Sequence, residues 1–152
     1  MEILIFAETD DKGNLKKDAY EIASYASEIS SENGGSVNAL CFNASNAESL
    51  SNYGVDKIIN SKNEELKNFD PSNYSKCITE VFNNEKCNLL VLSSSSNSMH
   101  IGGILSVLTD SSYVTNVISK LTNGEKMTVV RNTFTNKAFE TVEINKNKII
   151  LA

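Results

Sequence analysis

A polar run from Ser93 to Ser98 follows a continuously apolar segment and precedes a helical pattern. Serine hydroxyls and the free backbone amides at the start of a helix can bind a phosphate or another small anion. Glu8 and Thr9 follow another apolar segment, and in a parallel sheet the two polar segments would meet at the same edge. The candidates for lining a small anion or nucleotide cleft are therefore Glu8, Thr9, Ser94 and Ser96.

The same run has a simpler interpretation, which is a helix cap in a serine-rich chain. Neither GxGxxG nor GxxxxGK[ST] occurs, so the chain has no glycine-rich phosphate loop. Basic residues are also missing from the run and its immediate surroundings. The sequence leaves the anion cleft and the helix cap as alternatives.

Other reactive residue types are sparse. His100 is the single histidine, and no GxSxG nucleophile motif accompanies it. Cys41, Cys77 and Cys87 are widely spaced without a CxxC pair, which argues against a Cys/His zinc site and predicts reduced thiols. Arg131 is the one arginine among many lysines, so it is either a fixed planar contact or a strand-edge surface residue. We predict neither a catalytic constellation nor a metal site.

The elements that would position these residues alternate along the chain. Continuous apolar runs predict buried strands at Ile3–Ala7, Val37–Phe42, Val55–Ile59 and Leu89–Leu92. Four helices are predicted between and after these strands. Apolar stripes predict the first, between Leu15 and Ile29, and the last, at Ile101, Ile104, Leu105 and Leu108. Cap signals predict the starts of the other two, with a capping box at Ser45 and Glu48 and a cap at Asp70-Pro71. This alternation predicts an α/β fold with a mostly parallel, doubly wound sheet between helical layers.

The last forty residues have a different pattern. Strands are predicted at Val117–Thr122, Met127–Phe134, Phe139–Ile144 (half-buried) and Lys148–Leu151, with turns at Asn123-Gly124 and Asn145–Asn147. We therefore expect an added antiparallel C-terminal element.

Composition limits the remaining possibilities. The chain has 152 residues, 40% hydrophobic and 22% charged, with a net charge of −5. We expect a single domain over residues 1–152 without a nucleic-acid or membrane partner, because basic clusters and apolar runs near the ~20 residues of a membrane span are both missing. The apolar start has no basic region before it and ends at Glu8, which argues against a signal peptide and for a cytoplasmic protein.

Several segments together resemble a known family, the N-terminal domain of the electron transfer flavoprotein alpha subunit. The segments are Ile3–Glu8 followed by Gly13–Lys16, Tyr53–Lys57 (Tyr-Gly-Val-Asp-Lys), Leu89–Leu92 with the serine run, Asp110–Val117, Arg131, and Ala138–Val142. The chain departs from the family's pattern at Ser98–His100 and Gly103-Ile104, where two basic residues are lost, at Asn132 in place of proline, and at Asn136 in place of a turn glycine.

The resemblance implies a three-layer fold of the adenine nucleotide alpha hydrolase-like kind and a non-catalytic scaffold role. In the family this domain packs on the beta subunit beneath the FAD domain, and the assembled complex meets electron donor dehydrogenases. FAD is held mainly by a C-terminal domain whose Gly-x-x-Ser/Thr-Gly-Ala motif does not occur in these residues, so no tight FAD binding is expected here. Arg131 is the candidate for an interdomain contact.

An alternative from another class is a universal-stress-type module that binds AMP or ATP. It would use Glu8, Thr9 and the serine run on a phosphate. That family's Gly-x-x-Gly-x(9)-Gly-Ser/Thr signature is not seen, because Gly102-Gly103 has the wrong spacing. Both functions are carried forward from the sequence.

Overall fold

The computed structural model describes residues 1–145 and 148–152, and its elements follow the predicted alternation. The strands are β1 (Glu2–Phe6), β2 (Ser36–Phe42), β3 (Lys57–Ser61), β4 (Leu89–Val91), β5 (Ser112–Val114), β6 (Thr122–Asn123), β7 (Met127–Thr133), β8 (Ala138–Ile144) and β9 (Ile149–Leu151). The helices are α1 (Lys17–Asn33), α2 (Pro71–Asn84) and α3 (Ser96–Thr109), with short 3₁₀ helices at Ala47–Tyr53 and Glu64–Leu66. Across the described parts of the chain, no helix is both long enough and apolar enough to cross a membrane.

Six parallel strands form the main sheet in the order β3-β2-β1-β4-β9-β5. Side chains alternate between its two faces, so Ile3 and Ile5 pack in one core with α1, and Leu4 and Phe6 pack in another with α2 and α3. A separate antiparallel sheet, β6-β7-β8, covers part of the α1 side through Val129. The predicted three-layer α/β fold with an added antiparallel element is confirmed.

The order of the strands creates a switch point between β1 and β4. The chain runs outward from β1 through β2 to β3, and β4 then returns to the other side of β1. Ile5 and Val91 are register partners at this junction. The residues that follow β1 and β4 therefore leave the sheet side by side, at the edge where open parallel sheets bind ligands.

Two predicted helix starts have different outcomes. At α2, Asp70 Oδ1 accepts a hydrogen bond from Asn73 N at 2.8 Å, so that cap is confirmed. The Ser45 capping box is wrong, because Ser45 Oγ donates to Gly13 O at 3.0 Å instead. Asn46 precedes this 3₁₀ helix, and its Oδ1 accepts from Leu15 N at 2.9 Å. Ser45 and Asn46 therefore form hydrogen bonds with residues distant in sequence instead of the predicted local cap.

Two predicted boundaries are shifted by polar contacts. The third strand begins at Lys57 rather than Val55, because Gly54 is left-handed with φ of 82° and Asp56 Oδ2 accepts from Val37 N at 2.8 Å. Leu15 lies before α1, in a bridge with Thr9, so it packs in the core without belonging to the helix. The apolar pattern therefore predicts correctly which residues are buried, but it does not predict where the strand or the helix begins.

The C-terminal region differs most from its prediction. The hairpin predicted at Asn123-Gly124 is confirmed, but Asn123 pairs with Met127 as part of β6 and residues 124–126 form the connection. A continuous strand at Val117–Thr122 is wrong, because only an isolated bridge from Val117 to Arg131 and the start of β6 form there. The strand β5 was not predicted. Placing Lys148–Leu151 in the antiparallel element is wrong, because β9 joins the main sheet in parallel with β4 and β5. The predicted turn at Asn145–Asn147 includes residues outside those described.

The outer antiparallel strand, β8, is less buried than predicted. Phe139 alternates correctly with polar neighbours but is 74% exposed, because none of the described residues forms a layer over that face. At the turn between β7 and β8, Asn136 takes φ of 60°, a left-handed conformation that asparagine adopts more readily than most residues. The strand β8 therefore has an exposed face that carries the ring of Phe139.

Candidate functional site

The carboxylate of Glu8 lies at the switch point and is held by the serine run. Glu8 is only 6% exposed, although it directly follows the first strand at the sheet edge. Its Oε1 accepts hydrogen bonds from the hydroxyls of Ser93 at 3.2 Å and Ser98 at 3.0 Å, and also from Ser95. Three hydroxyl groups, two from the β4–α3 connection and one from the first turn of α3, therefore converge on one carboxylate oxygen.

The second oxygen of this carboxylate has two further donors. Glu8 Oε2 accepts from Lys16 Nζ at 2.8 Å and lies 3.4 Å from Asn97 Nδ2. We call the six residues Glu8, Lys16, Ser93, Ser95, Asn97 and Ser98 the Glu8 cluster. It joins the end of β1, the start of α1 and the start of α3.

The charge of the cluster is balanced internally. Burial raises the pKa of Glu8, but hydrogen bonds from Lys16 and Ser95 and the positive charge of Lys16 outweigh it, and the pKa falls below its ordinary value of 4.5. Glu8 is consequently a carboxylate at neutral pH. Its negative charge also contributes, after burial, to raising the pKa of Tyr74.

Ser95 connects this carboxylate to the helix behind it. The Ser95 hydroxyl oxygen accepts a hydrogen bond from Ser98 N at 3.0 Å, which caps α3. The same hydroxyl donates a hydrogen bond to Glu8. A negative charge near a helix N-terminus is favourable because unpaired amides carry partial positive charge there. The helix-cap and anion-binding interpretations of the run thus describe one structure, with Glu8 as the anion.

Three of the four candidate residues lie outside the cluster. Thr9 Oγ1 donates to Phe42 O at 3.2 Å and supports the β1 loop. Ser94 and Ser96 are exposed on the outer side of the run. His100 Nδ1 lies 2.7 Å from Ser96 O and donates to that carbonyl in the matching tautomer. Of the predicted group, Glu8 alone faces the inward hydroxyls.

The candidate set did not include the other residues that contact Glu8, which are Lys16, Ser93, Ser95, Asn97 and Ser98. One signal for Lys16 was available, because it closes the same β1–α1 loop that Glu8 opens. The side chains of Ser93, Ser95 and Ser98 point toward Glu8, and the spacing of these three positions follows neither a single strand period nor a single helix period. Their orientation depends on where the β4–α3 connection changes direction.

The cluster leaves little room for an added ligand. Beside Glu8 there is a space of about 20 Å³, lined by Thr9, Tyr74 and Asn97 among others. That is about the size of one water molecule. A phosphate would also meet the charge of Glu8 and hydroxyls that are already engaged. The geometry therefore gives no support to a nucleotide phosphate at this position.

A larger cleft of about 400 Å³ opens between α1 and the ends of β4 and β9. Its walls include Ile22, Val91 and Leu151, and its rim carries Asp18 and Glu21. The described residues lining it include no Lys, Arg or His. FAD carries a negatively charged pyrophosphate, which needs cations or free amides. The described lining residues offer this pyrophosphate no cationic side chain, and the rim carboxylates Asp18 and Glu21 would repel it.

Arg131 is partly engaged within the antiparallel sheet. Its Nε lies 3.4 Å from Glu140 Oε2, and the two residues are register partners on β7 and β8. The guanidinium is therefore near a carboxylate of this chain, but Arg131 Nε makes no hydrogen bond to the described residues, so this pair alone does not make Arg131 a fixed planar contact. An interdomain contact would have to form around this pair.

The cysteines are buried or half-buried thiols without disulfides among the described residues. Burial raises the pKa of Cys41 to about 11 and that of Cys87 to about 11, so both are protonated at neutral pH. Residues 1–145 and 148–152 contain no group of three or more His, Cys, Asp or Glu side chains that could hold a metal ion.

The outer side of α3 carries an unusual exposed surface. Met99, Ile104, Val107 and Leu108 are exposed large apolar residues, and we call these four the α3 face. The predicted stripe on this helix is therefore correct for Ile101 and Leu105 but wrong for Ile104 and Leu108, which point away from the core. The helix contains no Asp, Glu, Lys or Arg over its 14 residues. Such surfaces commonly mark contacts with other proteins.

Comparison with known proteins gives one match. A family model described as Electron transfer flavoprotein domain matches residues 3–152. No curated protein matches the chain. The match covers the main sheet, the Glu8 cluster and the α3 face.

Proposed function

The chain belongs to the electron transfer flavoprotein domain family, and from this we propose that it is an assembly domain in an electron-transferring flavoprotein. Within that family we assign it to the alpha subunit, as its N-terminal domain, with the beta subunit as its partner. The domain itself is not catalytic. FAD is bound by another domain of the complex, and electron donor dehydrogenases meet the assembled protein.

The observation that carries this proposal is the α3 face. Val107 is 81% exposed, and exposing a large aliphatic side chain to water is unfavourable unless a partner covers it. Because the helix contains no Asp, Glu, Lys or Arg, a partner can pack on it without burying an unpaired charge of any of these side chains. The internally neutralised Glu8 cluster supports the same role, since its groups hold the domain together.

The match to one family and the geometry of the Glu8 cluster both disfavour the alternative, an AMP- or ATP-binding module.

We also propose a cytoplasmic location. The three thiols without disulfides among the described residues support a reducing compartment. We further propose that the Arg131–Glu140 pair contacts the neighbouring domain of the complex.

Co-expression with the cognate beta subunit, followed by size-exclusion chromatography, tests the proposal. We expect a co-eluting complex for the wild-type chain and about tenfold or more weaker association for Val107→Asp, because a charge would be buried in the interface. Ser72→Asp is the matched control, since it adds the same charge at an exposed position in the first turn of α2. A folded wild-type chain that does not associate, or equal behaviour of the two variants, would contradict the proposal.

A further inference from the structure

We propose that Glu8 is a built-in anionic ligand, whose carboxylate fills an anion site at the switch point of the sheet. Removing that carboxylate would open a site for a small free carboxylate of the size of acetate. This inference concerns the construction of the domain and does not depend on the proposed assembly role.

The position of Glu8 is the first argument. Ligands of open parallel sheets bind outside the carboxyl ends of the strands, where the strand order reverses. In this chain the reversal lies between β1 and β4, and Glu8 follows β1 directly. The side chain therefore occupies the crevice in which a separate ligand would be expected.

The set of donors is the second argument. Three hydroxyls, an ammonium and an amide surround one carboxylate, and every one of them donates to it. Ser98 is fully buried, and Ser93 nearly so. Without an anion these hydroxyls would lose their acceptor away from bulk water, and Lys16 would lose its partner, which is costly. A cation would be repelled by Lys16, so the site is specific for negative charge.

Size decides which anion should enter first. Glu8→Ala removes a methylene and a carboxylate, which together correspond to the heavy atoms of acetate. Phosphate is tetrahedral and larger, and the adjoining space of about 20 Å³ adds room only for a water molecule. Acetate and formate should therefore bind the variant better than phosphate does.

Thermal unfolding of Glu8→Ala in sodium acetate and in sodium chloride of equal ionic strength tests the inference. We expect the Tm of this variant to be lower than that of the wild type in chloride and to rise with acetate concentration, as a ligand that binds only the folded state requires. For wild type and for Ile78→Val, the Tm should change by the same amount in sodium acetate as in sodium chloride. Ile78 is fully buried in the α2 core, so its variant is a control for destabilisation alone.

Two results would overturn the proposal. One is an acetate response of Glu8→Ala no larger than that of Ile78→Val, or a variant that stays unfolded at every acetate concentration. The other uses the wild-type chain, in which the site is already filled. Titration with phosphate or AMP should leave the amide NMR signals of Ser93, Ser95 and Ser98 without saturable shifts, and a saturable shift would show that Glu8 does not close the site.

Discussion

A buried carboxylate is stable only when hydrogen-bond donors replace the water that it loses. Glu8 has five such donors, and they come from three separate parts of the chain: the α1 start, the end of β4 and the α3 start. One side chain thereby connects elements that are not adjacent in sequence. Its effect on stability should depend on its charge, which gives a test by pH.

Glu8→Gln should reduce the free energy of unfolding at pH 7 by about 1–3 kcal/mol, since charge-assisted hydrogen bonds are lost and Lys16 loses its counter-ion. Because the pKa of Glu8 is lowered from 4.5 on folding, the stabilisation is present above that value and is lost as the pH falls through the folded pKa. The difference between wild type and variant should therefore shrink in acid.

Urea unfolding of both proteins between pH 7 and pH 3 measures this difference. Glu48→Gln provides the control, because Glu48 is exposed on the 3₁₀ helix and should behave like wild type throughout. A difference between wild type and Glu8→Gln that stays constant over the whole pH range would show that the charge of Glu8 is not responsible.

At the scale of elements, α3 has two surfaces with opposite requirements. Gly102 is buried against β5, and a Cβ atom there would overlap the ring end of Tyr113. Gly103 is exposed and has open space where a Cβ would be. Adjacent glycines in one helix therefore serve different purposes, because the first permits close packing on a strand and the second does not contact the core.

Gly102→Ala should lower the free energy of unfolding by about 1–3 kcal/mol through overpacking against Tyr113. Gly103→Ala should raise it by about 0.5–1 kcal/mol, because alanine favours the helix and meets no neighbour. Chemical denaturation of the two variants makes this comparison. In a Tyr113→Leu background the cost of Gly102→Ala should diminish, and a cost unchanged by that replacement would rule out the overpacking explanation.

At the scale of the whole molecule, the sheet is completed by the last described residues. The strand β9 lies between β4 and β5 and pairs with both in parallel. The chain reaches β9 only after passing through the antiparallel sheet, so β5 cannot join the main sheet until the C-terminal residues are in place. A short terminal strand therefore has a central structural role.

Ile150→Ala should reduce the free energy of unfolding by about 2–5 kcal/mol, because Ile150 is fully buried in the core shared with α2 and α3. Phe139→Ala on exposed β8 should change it by no more than about 0.5 kcal/mol, despite removing a larger side chain. Equilibrium unfolding in urea compares the two. Similar losses for both variants would mean that β9 is not an interior strand.

The sequence alone determined the features that depend on neighbouring residues. The cap at Asp70, the hairpin turn at Asn123-Gly124, and the apolar runs that became β1, β2 and β4 follow from local hydrogen bonding and periodic burial, so their prediction succeeded. The order of the segments that resemble the family was also sufficient to indicate the electron transfer flavoprotein family, whose domain model matches residues 3–152.

Only the tertiary structure decided which partners these elements meet. The Ser45 hydroxyl bonds to Gly13 rather than capping a helix, and Ser93, Ser95 and Ser98, rather than Ser94 and Ser96, turn toward Glu8. The sequence predicted a strand at Lys148–Leu151 but grouped it with the antiparallel element, whereas β9 pairs in parallel with β4 and β5. Local propensity acts over a few residues, whereas these contacts join segments tens of residues apart and exist only once the sheet and helices have packed.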